Sequence, residues 1–183
     1  MKKSIDFWLN PVTALNMEES PTHIELACLC IGNTQFAVDI MRIREILVPQ
    51  KLSTLPCASD LLDGVITLRG SVIPVMNMRK RFGMPALEYG SSGKLLVVSL
   101  VGQLLALAVD DVTEVISVPV SEIKPPIQNV SGIGMELLLG VCLSQNRVFM
   151  ILDIDSLLTS QSDDQSTLLD HSDAICIQEY SGE

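Results

Sequence analysis

Leu61-Leu62-Asp63-Gly64-Val65-Ile66 recurs, 76 positions downstream, as Leu137-Leu138-Leu139-Gly140-Val141-Cys142. The correspondence runs on without a gap. Leu68-Arg69-Gly70-Ser71 falls on Ser144-Gln145-Asn146-Arg147, both turn-like, and Val72-Ile73-Pro74-Val75 falls on Val148-Phe149-Met150-Ile151, both strand-like. Asn77 falls on Asp153, and both are good N-caps ahead of one helical turn, at 78–82 and 154–158. Upstream, Gln35 to Ile46 resembles Gln103 to Ile116, and one residue inserted ahead of Glu114 pairs it with Glu45. The chain therefore reads as an internal duplication of two β-modules, each of roughly 65–70 residues. Each module runs hairpin, connecting segment, Gly-Val hairpin, helical turn.

The rest of the body agrees with β-structure. His23 to Ile31 alternates apolar and polar residues, Gly32-Asn33-Thr34 is a turn, and Gln35 to Ile40 resumes as a strand. Lys94 to Val101, Gly102-Gln103 and Leu104 to Val109 repeat that hairpin pattern. Short β-branched runs with closely spaced turns predict small barrels or sandwiches, mainly β with few short helices. Residues 1–22 are expected to be a flexible N-terminal extension and 160–183 an acidic C-terminal tail, with Phe7-Trp8-Leu9 and Ala174-Ile175-Cys176-Ile177 as segments able to dock. Within the body, 23–159, the two modules are expected at roughly 34–92 and 93–159, with the strand 23–31 completing the second.

Composition excludes several function classes. An apolar fraction of 48% over 183 residues is incompatible with disorder throughout. The net charge of -10 argues against a nucleic-acid groove. Ile24 to Thr159 carries 10 basic and 13 acidic residues, whereas 160–183 carries 6 acidic and none basic, so the body itself is nearly balanced. Asp6 and Asn10-Pro11 interrupt the only leader-like stretch, and the longest uncharged run, Leu95 to Val109, contains Ser99, Gly102 and Gln103. Secretion and membrane insertion are not expected, and the five cysteines read as reduced thiols of a cytoplasmic protein.

Catalytic chemistry lacks its usual residues. His23 and His171 lie in or beside the terminal segments, and no Gly-rich loop leads from a strand into a helix. Cys28 and Cys30 share a strand face but lack a second ligand pair, so they read as small core hydrophobes rather than a metal site. Asp110-Asp111 and Asp153/Asp155 read as solvated surface and a helix cap. Arg79-Lys80-Arg81, beside Phe82, is the only basic cluster, and it reads as a solvated face or a protein-docking patch. The expectation is a protein that is not an enzyme and holds no cofactor or metal. A thiol enzyme and a nucleic-acid-binding β-barrel stand as the alternatives from other classes.

Residues Gly64-Val65-Ile66-Thr67-Leu68-Arg69-Gly70-Ser71, continuing through Pro74-Val75 to Arg79-Lys80-Arg81-Phe82-Gly83, closely resemble the signature of the CheW family of bacterial chemotaxis coupling proteins. Phe36-Ala37-Val38-Asp39-Ile40 with Ile43-Arg44-Glu45-Ile46 is similar to the family's early strand and its Val-x-Glu-Ile element. Gly140-Val141 through Leu152-Asp153-Ile154-Asp155 is similar to its closing segment. The likeness covers about residues 24–159, with Thr67 in place of the usual Asn and Asn77 in place of the usual Asp.

That resemblance implies two SH3-like, five-stranded β-barrels packed on a shared core. It implies a non-enzymatic scaffold linking the cytoplasmic tips of chemoreceptors to the regulatory domain of the histidine kinase CheA, recruited from the cytoplasm to membrane-anchored arrays. An adaptor of another chemosensory array, governing pili or second-messenger output, is the alternative within the family. The family's Glu and Arg fall on Glu45 and Arg69, which implies an ion pair at the receptor-facing corner of the first barrel. An exposed Arg69 without a partner is the competing reading. Gly64 and Gly70 are expected to permit turn conformations. Ile43 and Val65 are either apolar contacts or core. Gln145-Asn146, in place of Arg-Gly, marks a divergence of the second module.

Overall fold

A computed structural model describes residues 22–54, 59–85, 93–100, 102–126 and 133–159. The docking segments and tails expected at the two ends lie outside the described residues, as do Cys57, His171 and Cys176. Ten strands account for most of the body: β1 (His23–Ile31), β2 (Thr34–Asp39), β3 (Ile43–Leu47), β4 (Leu62–Leu68), β5 (Ser71–Asn77), β6 (Lys94–Leu100), β7 (Gln103–Val109), β8 (Asp111–Pro119), β9 (Leu138–Ser144) and β10 (Arg147–Leu152). Single helical turns follow β5 (α1, Met78–Arg81) and β10 (α2, Ser156–Thr159). The first begins where the sequence places it, the second two residues later than expected. Asn77 Oδ1 accepts from the Lys80 amide at 3.1 Å, and Asp153 Oδ1 accepts from the Asp155 amide at 3.1 Å.

The strands form two five-stranded sheets, in the orders β3-β6-β7-β5-β4 and β8-β1-β2-β10-β9. Position by position the two orders match: hairpin β6-β7 corresponds to β1-β2, β3 to β8, and β4-β5 to β9-β10. Even the parallel contacts recur, β5 with β7 and β2 with β10. The duplication is thus present in three dimensions.

The way the two copies combine differs from the expected modules. β2 does not join β3–β5; it lies in the second barrel beside β1 and β10. β6 and β7 do not open the second barrel; they form the centre of the first. Each repeat lends its hairpin to the barrel that holds the last three strands of the other. Sequence similarity identifies which strands are alike, but two copies of one strand pattern can pair equally well with either set of neighbours. The first barrel is consequently one continuous stretch, 43–109, while the second is built from both flanks of it. The strand 23–31 pairs with β8.

Each sheet closes by the same device. The chain after β3 turns back so that Ser53 exchanges two backbone hydrogen bonds with Val65 of β4, at 3.0 and 2.9 Å. The chain after β8 does likewise between Lys124 and Val141 of β9, at 2.8 Å each. These bonds seal the exposed edges β3/β4 and β8/β9 and turn open sheets into barrels.

Three apolar clusters result. Ile66, Ile73, Val75, Leu95 and Val97 fill the first barrel, and Leu26, Cys28, Ile116, Phe149 and Ile151 the second. The largest cluster lies between the barrels, where Leu29, Phe36 and Val38 meet Leu96, Leu105 and Leu107. Phe36 stacks on Phe82 there, with ring centroids 4.9 Å apart. At about 1.5–3 kcal/mol per large buried side chain, this shared layer contributes as much as either barrel's own filling.

Candidate functional site

β3 is an edge strand, and its alternation places Ile43, Glu45 and Leu47 on the less exposed side and Arg44 and Ile46 on the other. A register irregularity between Ile43 and Glu45 breaks the ladder with β6 and turns the strand locally. Opposite, β4 and β5 are joined by a two-residue turn, Arg69-Gly70, with φ of 51° and 84°. Positive φ at both central residues is the tight hairpin geometry that suits right-twisted strands. Glycine adopts it freely, whereas for arginine it costs on the order of 1 kcal/mol. Gln145-Asn146 adopts the same conformation in the second barrel, with φ of 49° and 61°.

Arg69 Nη2 lies 3.1 Å from Glu45 Oε2. The expected pair is therefore formed, but the Arg69 side chain is 81% exposed and Glu45 31%, so the arginine is not desolvated. Such a pair contributes about 0–1 kcal/mol. It fixes geometry, tying the middle of β3 to the tip of the β4-β5 hairpin, more than it stabilises the fold.

The other expected residues divide between roles. Gly70 sits in the turn, with open space where a Cβ would lie, so its φ alone calls for glycine. Gly64 is not in a turn: it is a buried residue within β4 with φ +144°, and a Cβ there would lie 2.5 Å from the Ser53 carbonyl oxygen. Its bare backbone lets the closing segment reach β4. Gly140 does the same in the second barrel, where a Cβ would lie 2.6 Å from the Lys124 carbonyl oxygen. Ile43 packs against the cluster between the barrels and belongs to the core. Val65 lies one residue from Ile66, which fills the first barrel, so it occupies the opposite, partly exposed face of β4.

Apolar residues beside this corner went unassigned in the sequence. Ile46 is 47% exposed, Val48 65%, and Val72, just past the turn, 67%. The readable signal for Ile46 and Val72 was their phase: each stands on the face of its strand that alternation gives to solvent, and Val48 follows directly after β3. The second barrel repeats the arrangement with exposed Val115, Leu143 and Val148. It also retains the ion pair. Although Gln145-Asn146 replaces Arg-Gly, Arg147, two positions further on, pairs with Glu114, the counterpart of Glu45. Its guanidinium lies 5.2 Å from the centre of the Phe149 ring. The divergence expected of the second module is a displacement of the arginine, not its loss.

The basic run is used internally. Arg79 makes a bidentate contact to Asp110, at 2.7 Å for both Nε and Nη2. Lys80 Nζ reaches Asp63 Oδ1 at 2.6 Å, and Arg81 Nε donates to the Leu157 carbonyl at 3.4 Å. Arg79 and Arg81 are thus partly covered and engaged within the fold, while Lys80, paired to Asp63, stays exposed. Asp63 also accepts from the Asn77 side-chain amide at 2.7 Å, which an aspartate at position 77 could not donate. Cys28 is buried, and burial foremost, with Glu114 adding, pushes its thiol up to about 11; a thiolate nucleophile is thereby disfavoured. Among the described residues, no helix is long and apolar enough to cross a membrane.

Residues 25–162 match the family model of the CheW-like domain. The chain belongs to the CheW family. This CheW-family protein is similar to "Chemotaxis protein CheW" of Treponema pallidum (strain Nichols), 29% identical over 149 residues, covering 79% of this chain and 88% of that one. It is 25% identical to the protein of the same description from Klebsiella aerogenes, across 75% of this chain and 82% of the relative. Among solved structures it resembles the scaffolding protein TtCheW from Thermoanaerobacter tengcongensis, with a TM-score of 0.68, 25% identity, and coverage of 78% and 92%. CheW-family proteins are non-enzymatic chemotaxis scaffolds, and the double barrel is their fold.

Proposed function

We propose that this CheW-family protein couples the cytoplasmic tips of chemoreceptors to the regulatory domain of a CheA-type histidine kinase, and that receptors recruit it to membrane-anchored arrays. The corner made by Glu45, Arg69, Gly70 and the outward Val65 is the contact surface. One observation carries the assignment: a charged pair, held by a turn that costs arginine conformational energy, stands beside exposed Ile46 and Val72. Small apolar patches rimmed by charge suit modest, reversible protein interfaces. The exposed Val115, Leu143 and Val148 of the second barrel offer a second apolar face. Gly64 and Ile43 act indirectly, by closing the barrel and by anchoring β3.

The test is kinase autophosphorylation in receptor membranes mixed with a CheA-type kinase, with and without this protein. Strong activation that receptor ligand suppresses is the expected result, with Arg69→Glu reducing it and Arg69→Glu combined with Glu45→Arg recovering part. Full activation by Arg69→Glu would overturn the site. Binding to the kinase regulatory domain without activation would transfer the protein to another chemosensory array.

A further inference from the structure

The first repeat supplies β1–β5 and α1, the second β6–β10 and α2, and each passes from one barrel to the other through a short crossover. In the first repeat the crossover is Ile40–Arg42; in the second it is Asp110 alone. Both crossovers are tied to the opposite repeat. Arg42 pairs with Asp155, and its Nη1 donates to the Ser99 carbonyl at 3.4 Å. Asp110 takes both Arg79 contacts and also accepts from the Gly32 amide at 2.7 Å. Positions 79 and 155 are equivalent at the repeat offset of 76, each following the last strand of its repeat. The two clasps are the same joint made twice with the charges inverted. Both arginines lie on the first repeat and both aspartates on the second.

The apolar layer between the repeats does not discriminate. Leu29 and Ile31 of the first hairpin correspond to Val98 and Leu100 of the second, and Phe36 and Val38 to Leu105 and Leu107. Hydrophobic burial alone would let either repeat embrace a copy of itself from another chain. The clasps would not. Two first repeats would set Arg42 against Arg79 at both joints, and two second repeats would set Asp110 against Asp155. These groups are largely covered, with side-chain exposures of 18–35%, so like charges there would be weakly screened.

We infer that the inverted clasps are a pairing code: they direct each repeat to its unlike partner and reject the like repeat of a second copy of this chain. The code secures an interleaved fold that would otherwise invite exchange between copies. It holds independently of the partners proposed above.

The test uses the full chain with Arg42→Asp and Asp155→Arg combined. Each repeat then carries one charge of each sign, so both clasps within a chain stay complementary and like repeats become compatible as well. Donor-labelled and acceptor-labelled chains are denatured together, refolded and assayed by energy transfer and size. Mixing chains that are already folded serves as the blank for surface association. The expected result is an interchain species, dependent on co-refolding, at least about tenfold more abundant than for the natural sequence. An unchanged fraction in a variant with native circular dichroism would overturn the code. Should that variant fail to fold, Arg42→Gln with Asp155→Asn removes the like-charge contact from both joints of each mismatched pairing while keeping a hydrogen bond between positions 42 and 155. It must also raise the exchanged fraction, and no rise would overturn the inference.

Discussion

Gly64→Ala and Gly140→Ala replace equivalent residues with the same methyl group, yet they should differ in cost. At Gly64 two penalties combine. Its φ of +144° is a conformation that an L-residue adopts only with strain of about 1–3 kcal/mol. The new Cβ would also stand 2.5 Å from the Ser53 carbonyl oxygen, a backbone atom that cannot swing aside. Ser53 must retreat and give up the two hydrogen bonds that close the first barrel, worth about 1 kcal/mol each. The sum is about 3–5 kcal/mol. Gly140 carries no positive φ, so only the second penalty applies: a Cβ 2.6 Å from the Lys124 carbonyl oxygen and two closing bonds at risk, about 2 kcal/mol together. Gly70→Ala, with open space but φ +84°, isolates the conformational penalty at about 1 kcal/mol. Urea denaturation read as midpoint at constant m-value measures all three. The expected order is Gly64, then Gly140, then Gly70. A loss below about 0.5 kcal/mol for Gly64→Ala, or equal losses at Gly64 and Gly140, would refute the reasoning.

Three other expectations follow from the same geometry. Arg69→Asn places a residue that tolerates positive φ before Gly70, so stability should rise by about 0.5 kcal/mol in thermal unfolding while kinase activation falls; a fall in both would mean the turn tolerates arginine without strain. Asp110 is partly buried, which alone would raise its carboxyl, but the Arg79 contacts and the Gly32 amide outweigh that and hold it below the ordinary carboxylate range. Its contribution is then present in full above about pH 5 and lost as pH falls from the unfolded value near 4 through its lower folded value, so Asp110→Asn should flatten the acid limb of a stability–pH curve, and an unchanged limb would contradict the pairing. Burial raises the thiols of both Cys28 and Cys142, so at pH 7.5 alkylation mapped by peptide mass should mark the partly exposed Cys30 well before either; early labelling of Cys28 would show that the second barrel opens.

Local pattern explains what the sequence revealed. Turn residues, alternation and caps are encoded within a few positions, so the hairpins, the helical turns and the equivalence of Gly64-Val65 with Gly140-Val141 could all be read directly. Which strands become neighbours is a long-range matter, and there the reading failed: nothing in Gln35 to Asp39 states that its parallel partner is β10 rather than β5. The Glu45–Arg69 pair came from family likeness, while its high exposure, and therefore its small energetic weight, emerged only with the fold. Arg147 escaped notice because its displacement by two residues breaks the offset that aligns everything around it. The cations of 79–81 looked like surface because a run of like charges normally is; their carboxylate partners, and the Leu157 carbonyl that Arg81 reaches, lie between 17 and 76 residues away in sequence.

The nesting of one barrel within the chain of the other sets an order of assembly. During synthesis the β1-β2 hairpin emerges first, but its main partner begins at Asp111, with Leu26 opposite Ile116. The strands of the first barrel span only 43–109 and meet their neighbours sooner, as Ile43 meets Val98. Loop closure favours the nearer pairings, so the barrel carrying Arg69 should be complete while the opening hairpin still waits with an unpaired edge. Pulsed hydrogen exchange should show protection in β3–β7 before the β1–β8 ladder, and the reverse order would contradict it. A stalled or truncated chain would then present a finished contact barrel beside an open strand, the state in which this architecture is most exposed to misassembly.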